Sequence, residues 1–85
     1  MPSMQERIEE KLEKEFQPMY LKVVNESIHH RGHAGDDGSG ESHFSVEMRA
    51  EMFSGKSRLT AQRMVYGAIS EEMKFVHALT MKLSP

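Results

Sequence analysis

The side chains best suited to chemistry in this chain are its five histidines. His29, His30 and His33 lie within five residues of one another, His43 follows, and His77 stands apart. Imidazole is the commonest protein metal ligand and changes charge near neutral pH. The chain has no cysteine, so disulfides, thiolate catalysis and zinc-finger ligation have no residue to use. A soft metal centre would need sulfur from a partner. Loop imidazoles together with one on a strand end are able to converge on an ion. Equally, His29, His30 and His33 read as solvated loop side chains, and His43 and His77 as structural ones. The eight methionines read as flexible filler for a small core, not as thioether ligands.

Other constellations carry less. Gly32-His33-Ala34-Gly35 spells G-x-x-G, the loop that lets a K-homology backbone approach phosphates, but it falls between two predicted strands instead of two helices. Asp36-Asp37-Gly38 lacks the alternating ligands and distal glutamate of a calcium loop. Ser42 and His43 are adjacent strand residues, so they point to opposite faces and do not form a nucleophile and its base. No carboxylate pair falls in a predicted cleft, and the chain reads as a non-enzyme. Lys56, Arg58 and Arg63 surround the predicted start of the second helix, where cations and free backbone N–H groups suit phosphate. An ordinary solvated helix end is the plainer reading of the same three residues.

The elements that must position these residues are legible from periodicity. Ser3 and Glu6 have capping-box spacing, and Met4, Ile8, Leu12 and Phe16 form one apolar stripe, so a helix is predicted over 3–16. Pro18 stops it. Residues 19–25 read as a strand, with Leu21 and Val23 on one face and Tyr20, Lys22 and Val24 on the other. Residues 28–42 hold four of the six glycines and form a long polar loop. Residues 43–51 alternate, with Phe44, Val46 and Met48 inward. Ser57 caps a second helix predicted over 58–74, its apolar face made by Ala61, Val65, Ala68, Ile69 and Met73. Gly67 within it costs about 1 kcal/mol against alanine, which argues for close packing there. Residues 76–83 read as a third strand. The order α-β-β-α-β predicts an α+β fold with an antiparallel hairpin, a parallel crossover and a three-stranded mixed sheet, both helices on one face.

Eighty-five residues make one domain, 1–85, burying roughly 60–65 % of its surface, so function is expected on a face, edge or loop. A net charge of −2 opposes strong non-specific nucleic-acid binding by the whole chain. Its distribution is uneven: residues 6–15 hold five acids against three bases, and 52–70 hold no acid. No apolar run approaches the ~20 residues of a membrane span and no signal-peptide core is visible, so a cytoplasmic protein is expected.

Several motifs in order resemble the BolA family: Arg7 to Leu12 (R-I-E-E-K-L), Val23 to Ser27 (V-V-N-E-S), Gly32 to Gly35, Glu41 to Phe44 (E-S-H-F), Phe53-x-Gly55-Lys56-Ser57, Arg63 to Tyr66 and Val76 to Leu79. The resemblance spans about Gln5 to Leu83, and the loop is similar to an alphaproteobacterial-type subgroup. It implies a K-homology type II-like fold and an adaptor that pairs with a monothiol glutaredoxin. Partner and glutathione then supply thiolates to a shared [2Fe–2S] cluster, and this chain supplies His77 and His33, with His30 as the alternative. Histidine on one iron gives a site unlike an all-thiolate one. The isolated chain is expected to be metal-free, and a monomer or weak homodimer. Some family members are described as DNA-binding regulators in stress responses, acting through the region around helix 2. There the family usually reads R-H-R, and this chain reads Ala61-Gln62-Arg63, with fewer cations. The match promotes His77 and His33 and demotes His29 and His43.

Overall fold

A computed structural model describes residues 3–26 and 43–85. The elements are α1 (Met4–Phe16), β1 (Tyr20–Asn25), β2 (His43–Arg49), α2 (Arg58–Ala68) and β3 (Ala78–Ser84), with 3-10 turns at Glu51–Phe53 and Glu72–Lys74. The local signals of the sequence are visible in the caps. Ser3 Oγ accepts from the Glu6 backbone N–H at 3.1 Å, and Ser57 Oγ accepts from that of Thr60 at 3.1 Å, each satisfying a first-turn donor. Helix α1 ends at Gln17, whose left-handed backbone (φ 45°) precedes Pro18.

β1 and β2 pair antiparallel, with Val23 opposite Val46; β2 and β3 pair parallel, with Val46 opposite Met81. The sheet order is β1-β2-β3. Leu21, Val23, Phe44, Val46, Met48, Leu79, Met81 and Leu83 therefore share one face, which packs on Ile8, Leu12 and Phe16 of α1 and Ala61, Val65 and Ile69. Tyr20, Lys22, Glu47, Arg49, Thr80 and Lys82 occupy the other face and are exposed. Among the described residues, no helix is long and apolar enough to cross a membrane.

Three expectations are corrected. The second helix does not run to residue 74: it stops at Ala68, because fully buried Ile69 leaves helical geometry (φ −116°, ψ 31°) and turns the chain toward α1. Gly67 is not a close-packing site; it is exposed, and an added Cβ would meet nothing within 4 Å. Met19 and Met52 are exposed at 65 % and 45 %, so the core filler is Met48, fully buried, with Met4, Met64, Met73 and Met81 at its margin.

Candidate functional site

His77 is held by its neighbours in sequence. Val76 is buried in the core, and Ala78 begins β3 opposite His43, so the backbone on both sides of His77 is fixed while its side chain is exposed. The imidazole lies beside that of His43, with ring centroids 5.4 Å apart and planes inclined by 52°. His43 is 7 % exposed, and its carbonyl accepts from the Glu26 backbone N–H at 2.8 Å. The sequence demoted His43; the parallel β2–β3 register, which sets it opposite Ala78, is what carries it to His77. His29, His30, His33 and the G-x-x-G segment lie outside the described residues. Among the described residues, no three His, Cys, Asp or Glu side chains converge as a metal cluster.

The segment leading to His77 is tied to α1 by a buried carboxylate. Glu72 is fully buried, and one oxygen accepts from Arg7 at 3.1 Å and Lys11 at 3.0 Å. Burial alone pushes its pKa up. The Lys11 hydrogen bond, its own backbone N–H and the charges of Lys11 and Arg7 outweigh burial and hold it below the ordinary value of 4.5.

The basic residues separate into two places. Lys56 and Arg58 line a cleft of about 360 Å³ at the start of α2, together with Ser57, Gln62 and, from β3, Lys82. Arg63 is not part of it: five residues beyond Arg58, it lies about 140° further round the helix. Lys82 escaped the sequence reading: alternation puts it on the sheet face away from the helices, in register with Glu47, and it lines the cleft only because β3 is an edge strand. Ala61 is buried in the core, so of the two positions where the family carries Arg-His only Gln62 lies toward the surface.

Comparison with known proteins agrees with the fold. The family model "BolA-like protein" matches residues 12–85. The DNA-binding transcriptional regulator BolA of Escherichia coli is 44 % identical over 79 residues, covering 92 % of this chain and 71 % of that protein. SufE-like protein 1 of Arabidopsis thaliana is 41 % identical over 80 residues, 88 % of this chain but only 22 % of that longer protein. Among solved structures, BolA1 from Arabidopsis thaliana superposes with a TM-score of 0.86 at 33 % identity, covering 99 % of this chain and 93 % of that one. The chain belongs to the BolA-like family.

Proposed function

We propose that this protein is a cytoplasmic adaptor that pairs with a monothiol glutaredoxin and glutathione and shares a [2Fe–2S] cluster with them, with no catalytic step of its own. The observation that carries the reading is the exposed His77 imidazole on a backbone fixed by Val76 and the β2–β3 pairing. A preset ligand loses little freedom on binding. The donor set fits a shared group: a chain with imidazoles and no cysteine holds one side of a cluster only when thiolates come from elsewhere. His77 and His33, or His30 in its place, are the residues that would hold it, and the cluster supplies electron-transfer and iron-delivery chemistry when bound. Anaerobic reconstitution with a monothiol glutaredoxin and glutathione tests this. The expected result is a heterodimer whose visible absorption changes in His77→Ala and in His33→Ala or His30→Ala. An unchanged spectrum in all three removes the ligand assignment.

A second reading, a DNA-binding regulator, is favoured by the cation-lined cleft and by the name of the Escherichia coli relative. Phosphate would meet Lys56, Arg58 and Lys82 beside the α2 N-terminus, with Arg63 contributing from another side. Absence of duplex DNA binding at about 50 mM salt removes it.

A further inference from the structure

His43 opens β2, and His77 stands at the bend immediately before β3. Because His43 is in register with Ala78, the two imidazoles spring from neighbouring positions of one sheet. One ring is enclosed and the other is reachable from water, since His43 is 7 % exposed and His77 is open.

Their spacing can be set against what a shared cation requires. A Zn–N bond is about 2.0–2.1 Å, and an imidazole nitrogen lies roughly 1.1 Å from its ring centroid, so a cation bound in the ring plane lies about 3.2 Å from that centroid. Two such centroids at the tetrahedral angle are roughly 5.2 Å apart. The rings here are 5.4 Å apart, so small side-chain rotations suffice to close a chelate. The geometry points to a divalent-cation site in which His43 and His77 together ligate one ion of the Zn²⁺ type, with water completing the shell.

The donor chemistry selects the ion. Neutral imidazole suits Zn²⁺ and its neighbours, whereas Ca²⁺ and Mg²⁺ demand oxygen. Each ring contributes one nitrogen and keeps the other for the hydrogen bond that usually orients a metal-bound histidine. Two imidazoles are fewer protein ligands than a closed structural site has, so the affinity of the pair is modest. The ion and the cluster proposed above exclude each other, because both use His77. The test involves no partner, so its outcome is independent of that reading.

The experiment is a titration of the chelator-treated chain with Zn²⁺, followed by calorimetry and by imidazole ¹H–¹⁵N NMR. One Zn²⁺ is expected per chain, with a Kd on the order of 10 µM. The ring signals of His43 and His77 should move along one isotherm. His77→Ala should weaken binding at least about tenfold, while His29→Ala, outside both the pair and the proposed cluster ligands, should leave it within about twofold. His43→Gln should match His77→Ala; because His43 is buried, the wild-type NMR titration and the exposed His77→Ala variant carry the test if that variant is unfolded. Overturning results are movement of only one ring of the pair, binding kept in His77→Ala, or no saturation at about 1 mM Zn²⁺.

Discussion

The residue that most deserves a stability measurement is Glu72, because nothing in its sequence neighbourhood marks it. The pattern E-E-M-K reads as a solvated helix end, yet Glu72 is fully buried and holds Arg7 and Lys11 of α1, while Glu71 beside it stays exposed with only a 3.9 Å approach to Lys11. Charged carboxylates are almost never fully buried unless paired. Both cationic partners are partly exposed and can be rehydrated, so removing the carboxylate leaves no stranded charge. Glu72→Gln is therefore expected to cost about 1–3 kcal/mol in urea denaturation, through the lost charge-assisted hydrogen bonds. The pH dependence follows from the direction of the shift. A carboxylate whose pKa is lower in the folded chain stabilises above its unfolded value, 4.5, and that contribution disappears as pH falls through the lower folded value. Wild-type stability should thus fall more steeply than that of Glu72→Gln as the pH is lowered below about 4.5, and parallel curves would show that the pairing contributes nothing.

At the scale of elements, local chemistry and periodicity were sufficient where one face of an element meets the core. The stripe Ile8, Leu12 and Phe16 and the alternation Phe44, Val46 and Met48 are buried as their spacing requires, and both serines cap as expected. What periodicity could not supply is tertiary. Ile69 and Met73 fit the helical stripe of α2, but the chain bends at Ile69 so that Glu72 can reach α1, a demand made by residues far away in sequence. Gly67 misled for a related reason: a glycine in a helix has no signal that separates tight packing from simple tolerance. The two described glycines now give opposite expectations. Gly67 is helical with open space at its Cβ position, so Gly67→Ala should raise stability by up to about 1 kcal/mol. Gly55 sits at φ +75° in the turn before α2, so Gly55→Ala should lower it by about 1–2 kcal/mol although no atom is in the way. Thermal denaturation of the two variants checks both signs at once.

On the scale of the whole molecule, the arrangement of charge decides what the DNA-binding reading can deliver. Histidine, lysine and arginine positions were legible in the sequence as a list, but their grouping was not. Register brought His43 to His77, Lys82 of the edge strand β3 lines the same cleft as Lys56 and Arg58, and helical rotation took Arg63 away. A duplex backbone lying along the cleft therefore meets three cations, on a chain whose net charge is −2. Each neutralised phosphate contributes about −0.9 to the slope of log K against log salt, so three contacts predict a slope of roughly −2.7 and a loss of about 40-fold between 50 and 200 mM salt. Lys82→Ala should make that slope shallower by about 0.9 and Arg63→Ala should leave it nearly unchanged, both read by fluorescence anisotropy across a salt series. The reverse ranking would place DNA along the outer side of α2 instead of in the cleft. A slope much steeper than −2.7 would mean that cations beyond these three are engaged, as in binding by two copies of the chain.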